Sequence, residues 1–116
     1  MKFNPNCIRD ILIECENSAD GFQELYIEET NIPKSLLKYS WNELKYHLTQ
    51  CKMSNLFDEY SGEDILGNFT INNLSPNGHM FLQNIKSNSV WKKLLTIGCK
   101  SLPALMSTAF DISELM

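Results

Sequence analysis

Asn42, Lys45, Tyr46, Thr49 and Lys52 are spaced so that one helix could present them together. At about 100° per residue, Asn42, Lys45, Tyr46 and Thr49 share a side, with Lys52 beside them. Amide, hydroxyl and ammonium groups on one helix face can hydrogen-bond base edges or pair with phosphates. Lys34 and Lys38 lie just upstream and add two cations. The usual bidentate reader of guanine is missing from this set, because the only arginine is Arg9. Three or four lysine–phosphate contacts predict a salt slope of about −3 to −4, and so weak binding by a monomer.

Other chemistry finds less support. No G-x-S-x-G, phosphate-binding loop or glycine-rich dinucleotide motif occurs. His47 and His79 have no H-E-x-x-H context and no third ligand nearby, so neither predicts a metal site. His47 and Cys51 stand four residues apart, which could pair a base with a thiol. Two residues at the edge of an apolar stripe would give the same spacing. The acidic run Asp58, Glu59, Glu63, Asp64 lacks the ligand spacing of a calcium loop and reads as a solvated surface. The expectation is therefore no enzyme, no metal and no cofactor. Trp41 and Trp91 are expected to anchor a core. Cys7, Cys15, Cys51 and Cys99 form no C-x-x-C pair, and Cys7 and Cys15 fall in an apolar helical pattern as small core residues.

The 116 residues are a one-domain length, and 43% hydrophobic with 21% charged residues suits a globular chain. The formal net charge of −4 argues against coating nucleic acid by bulk charge. That total is unevenly distributed. Residues 1–30 carry −5, residues 31–57 carry +3, residues 58–64 carry −4, residues 65–100 carry +4 and residues 101–116 carry −2. The basic 31–57 block contains the helix face described above. The start, Met1-Lys2-Phe3-Asn4-Pro5-Asn6, has no apolar core of a secretory signal, and no stretch is long and apolar enough to span a membrane. A cytoplasmic location is expected.

The elements that must hold these residues can be read from caps and periodicity. Asn4-Pro5 starts a helix over 5–17 with Ile8, Ile11, Leu12 and Cys15 inward. A short strand is expected near 25–27 and a short helix around Leu36 and Leu37. Ser40 and Glu43 form a capping box for a helix over 41–52, with Trp41, Leu44, Leu48 and Cys51 as its stripe. Leu56-Phe57 and Phe69–Asn72 read as two strands of a hairpin, with residues 58–64 as the acidic loop at its tip. Ser75-Pro76 starts the next helix, Val90–Ile97 another, and Ser101 caps a last one carrying Leu102, Leu105, Met106 and Ala109.

This order is that of a winged helix-turn-helix, with residues 41–52 as the recognition helix and the hairpin as the wing. The segment Leu74-Ser75-Pro76-Asn77-Gly78-His79-Met80-Phe81-Leu82 resembles the "L-T-x-x-G-x-x-x-L" stretch that follows the wing in many bacterial winged-helix proteins. The hydroxyl caps the helix, and Gly78 lets it pack closely on its neighbour. More widely, Asn4–Leu12, Leu44-Lys45-Tyr46-His47-Leu48, Gly78–Ile85 and Val90-Trp91-Lys92-Lys93 are similar to segments of an uncharacterised family of Gram-positive bacteria and their phages, related to YjcQ-like winged-helix proteins. The resemblance implies the fold and a phage link. It carries no catalytic or ligand residues.

The expectation is thus an α+β, mainly helical fold: a winged helix-turn-helix with a small β-hairpin wing and extra C-terminal helices. Residues 1–86 form the winged-helix domain. Residues 87–116 extend it, packing on it or on a second chain, within a single domain overall. The expected function is a small DNA-binding or transcription-regulatory protein contacting double-stranded DNA weakly through Asn42, Lys45, Tyr46, Thr49, Lys52, Lys34 and Lys38. The competing expectation is a phage-encoded adaptor or inhibitor that binds a host or phage protein. It rests on the acidic wing and the scarcity of arginine. The last helix either packs on the first helix or makes a homodimer.

Overall fold

The computed structural model describes residues 1–115; Met116, the end of the expected 87–116 extension, lies outside the described residues. These residues form an α+β, mainly helical fold with five α-helices and one three-stranded antiparallel sheet. Asn4 caps α1 (Pro5–Ser18) through its side chain, which accepts from the Asn6 amide, and Pro5 takes the first helical position. Cys7, Ile8, Ile11, Leu12 and Cys15 are all buried, so the spacing read from the sequence is the face that meets the core. Strand β1 (Leu25–Ile27) follows. The short helix expected around Leu36 and Leu37 is a single 3-10 turn over Lys34–Leu36, with Leu36 buried and Leu37 exposed.

Ser40 caps α2 (Trp41–Met53) by accepting from the Glu43 amide at 3.1 Å. The capping box is only half made. The Glu43 carboxylate accepts from Asn4 Nδ2 at 3.4 Å, which ties the starts of α1 and α2 together. Leu44, Leu48 and Cys51 are buried as expected, and His47 joins them with no exposed surface instead of lying at the stripe's edge. Trp41 is only half-buried against the core.

The hairpin differs from the expected one. Strand β3 (Phe69–Ile71) pairs with β2 (Gly62–Glu63), which falls inside the segment read as a loop. Leu56-Phe57 contributes only a single bridge, Phe57 to Leu74. The tip is therefore residues 64–68. The cause is local hydrogen bonding by two aspartates that composition alone reads as solvated. Asp58 accepts from the Ser61 hydroxyl at 2.7 Å and from Asn72 Nδ2 at 2.6 Å, folding the approach onto the strand's end. Asp64 accepts from the amides of Leu66 and Asn68 at 2.9 and 3.0 Å, an Asx turn completed by Gly67 at φ +84°. β3 is the central strand: β1 pairs with its other edge, Leu25 to Ile71 and Ile27 to Phe69, giving the order β1-β3-β2. Leu25, Ile27, Phe69 and Ile71 face inward.

Ser75 starts α3 (Pro76–Ile85), accepting from the Gly78 amide at 2.9 Å while its hydroxyl donates to the Asn55 carbonyl at 2.5 Å. A side chain on Gly78 would place its first carbon 2.0 Å from the Leu56 carbonyl oxygen. The close approach inferred from the sequence is thus real, and the neighbour is the backbone just after α2. Helices α4 (Asn88–Ile97) and α5 (Leu102–Leu115) complete the chain. α5 buries Leu102, Leu105 and Ala109 by packing on α3 and α4 rather than on α1. The Ser113 hydroxyl donates to Asn84 of α3.

Candidate interaction site

The seven residues of the expected nucleic-acid contact stand in different surroundings. Asn42, Lys52 and Lys34 are exposed. Lys38 is exposed as well, with Nζ 3.0 Å from Asp10 Oδ2 and 5.6 Å from the centre of the Tyr39 ring, a surface ion pair to α1. Lys45 is half-buried. A first side-chain carbon on Gly67 would sit 2.7 Å from Lys45 Nζ and 3.7 Å from Glu63 Oε1, so this ammonium lies against the β2–β3 tip and near its acid. Its other neighbour is the Trp41 ring, 5.9 Å away. Tyr46 is half-buried with its ring edge-on to His47 at 4.9 Å. Thr49 is half-buried too. Lys52 points along the same hairpin, with Gly62 its near neighbour. Lys92 and Lys93 are exposed too and stand on α4, away from this helix in the chain.

His47 is a structural residue. Its Nε2 accepts from the Asn4 amide at 2.8 Å, and Nδ1 meets the Glu43 carbonyl at 2.7 Å. A carbonyl only accepts, so Nδ1 carries the proton and the tautomer is set by its partners. Both nitrogens are occupied, which leaves none for a metal or for a Cys51 proton. Cys51 itself is buried, and burial raises its thiol well above the ordinary range. Burial likewise pushes Cys7 up, to about 12, helped by the carboxylates of Glu43 and Asp10, and raises Cys15. All four cysteines are free. Among the described residues, no group of three His, Cys, Asp or Glu side chains is placed to hold a metal ion. No helix among them is long and apolar enough to cross a membrane.

Arg9 also has a structural position. Its guanidinium donates to the carbonyls of Ile85 and Lys86 at 3.2 and 2.9 Å and to Asn88 Oδ1 at 3.1 Å. It stacks 5.2 Å from the centre of the Trp91 ring. Trp91 Nε1 in turn donates to Asn6 at 3.1 Å, so α1 clamps the α3–α4 corner. Trp91 is the core anchor expected of it.

What sequence reading missed is the hairpin tip. Ile65 is fully exposed and Leu66 is 80% exposed, on a turn held by Asp64 and Gly67 and flanked by Glu63. Tyr60 is exposed nearby in the chain. Two adjacent branched apolar side chains with no cover are costly to hold in water, roughly 1.5–3 kcal/mol each relative to burial. A second missed feature lies at the other end of the charge distribution. Lys2, Phe3, Cys99 and Lys100 line a crevice of about 420 Å³. Phe3 and Cys99 are half-buried, and the two lysines are exposed. The signal that could have found the tip is Asp64-Ile-Leu-Gly67: turn residues enclosing a pair of apolar ones.

A family model described as "Hypothetical protein (DUF2513)" matches residues 2–101. The match ends at the residue before α5. No curated protein and no solved structure matches the chain.

Proposed function

We propose, for a chain that belongs to the DUF2513 family, a non-enzymatic protein-docking role on a winged-helix scaffold, with the β2–β3 hairpin as the docking wing. The element order α1, β1, 3-10 turn, α2, β2, β3 supports that scaffold, as does the sheet order β1-β3-β2. The observation that carries the docking role is the wing tip. Ile65 and Leu66 stand exposed within the Asp64 turn, just after Glu63. Such a knob fits an apolar hollow with a basic rim, and it would meet phosphates with the wrong charge. A host or phage protein is the partner class. The four free cysteines are in keeping with a reducing, cytoplasmic setting.

Affinity capture with the full chain tests this reading. A partner retained after nuclease treatment should be lost with Ile65→Asp/Leu66→Asp and kept with Lys34→Ala/Lys52→Ala. Loss of the partner on nuclease treatment, or on removal of the two lysines, contradicts it.

A second reading, weak DNA binding by α2, is favoured by the exposed Asn42, Lys34 and Lys52. Neither lysine has a carboxylate partner among the described residues. With Lys38 paired to Asp10 at the surface and Lys45 half-buried, the two exposed unpaired lysines give a salt slope of about −2. Fluorescence anisotropy with a random duplex at low salt checks it. A flat signal through tens of micromolar removes this reading, and a signal that Lys34→Ala/Lys52→Ala abolishes upholds it.

A further inference from the structure

The chain carries two unlike surface features with complementary character. One is convex: Ile65 and Leu66 project from a turn whose flanking side chains, Glu63 and Asp64, are acidic. The other is concave: a crevice of about 420 Å³ whose half-buried walls are Phe3 and Cys99 and whose exposed sides are Lys2 and Lys100. Apolar centre meets apolar centre, and Glu63 and Asp64 meet Lys2 and Lys100 around the rim, with Lys45 lying beside Glu63 on the knob's own side. The knob has no cover, and neither Lys2 nor Lys100 has a carboxylate partner among the described residues.

We propose that the wing tip of one copy of this chain docks into the Lys2–Phe3–Cys99–Lys100 crevice of a second copy. This rests on the docking reading above and puts a second copy of the chain, in place of a host or phage protein, on the knob. The surfaces in contact differ, so the junction is heterologous: every copy offers one knob and one crevice. The contact is small, and association must overcome lost translational and rotational freedom, so a single junction is weak, with Kd on the order of 100 μM. The junction is sensitive to salt because its charged rim stays exposed to solvent.

Sedimentation of the full chain from micromolar to millimolar concentration tests the proposal. The wild type is expected to show mass increasing with concentration, and less so at high salt. Ile65→Asp/Leu66→Asp and, separately, Lys2→Glu/Lys100→Glu are each expected to weaken association by about tenfold or more. All four positions are solvent-exposed, so the fold does not depend on them. Mixing the two variants must restore a 1:1 dimer, because one keeps a crevice and the other keeps a knob. A wild type that stays monomeric at millimolar concentration overturns self-docking. So does association untouched by either variant, or a mixture that does not recover. If the wild type stays monomeric while Ile65→Asp/Leu66→Asp still loses a captured protein, self-docking alone fails and the wider docking role stands.

Discussion

At the scale of single residues, the molecule is held by a few positions with no alternative occupant. Gly78 is one: a methyl group there would collide with the Leu56 carbonyl oxygen, and that oxygen also accepts from the Ser75 amide at 3.0 Å. Gly78→Ala should cost about 3 kcal/mol, read as a drop in urea midpoint, because backbone rather than a flexible side chain must move. His47 is another. His47→Leu keeps the volume but leaves the Asn4 amide without its acceptor, and should cost about 2 kcal/mol in the same assay. The sequence showed Gly78 through its place in a Ser-x-x-Gly segment after the hairpin. It did not show the burial of His47, because both partners of the ring are backbone groups and one is 43 residues away. The thiols behave as their burial dictates. In the native protein a thiol reagent should label Cys99 alone, with Cys7, Cys15 and Cys51 reacting only on unfolding.

At the scale of elements, helices were more legible than the hairpin. Asn4-Pro5, Ser40 and Ser75-Pro76 each mark a helix start that a local hydrogen bond explains, so one residue's chemistry is enough to locate it. The hairpin depends on which carboxylates fold back onto amides. The string Asp58–Asp64 contains four acids and one glycine, and nothing in composition says that Asp64 closes the turn while Gly62 lies in a strand. The same limit hid the candidate site, since Ile65 and Leu66 become a tip only once the turn is placed. Gly67→Ala tests that turn. It forces a side chain into φ +84° and against Lys45, and should cost about 2 kcal/mol while shifting amide signals of residues 62–71. The Arg9 clamp is likewise an element-scale device. Arg9→Lys keeps the charge but loses the fork that reaches Ile85, Lys86 and Asn88, and should cost about 1–2 kcal/mol and speed hydrogen exchange in α4.

At the scale of the whole molecule, the net charge of −4 separates into an acidic N-terminal stretch, an acidic hairpin and basic segments over 31–57 and 65–100. Two of the lysines expected to serve DNA have neighbours within the fold: Lys38 forms an exposed ion pair with Asp10, and Lys45 is half-buried beside the hairpin. Stability should also depend on alkaline pH. The buried thiols are raised above their ordinary value of 9.0, Cys7 to about 12, so the folded state holds protons that the unfolded chain gives up. Stability from this source is full below about pH 9 and falls as pH rises toward 12. Urea midpoints measured between about pH 8 and about pH 11 should therefore decline, with the decline reduced in Cys51→Ala relative to wild type. The docking role itself is read most directly by photo-crosslinking the full chain in cells, with benzoylphenylalanine at position 66 and, separately, at position 42. A protein adduct from position 66 and none from position 42 is the predicted result; an adduct from position 42 alone, or one that nuclease digestion destroys, would contradict it.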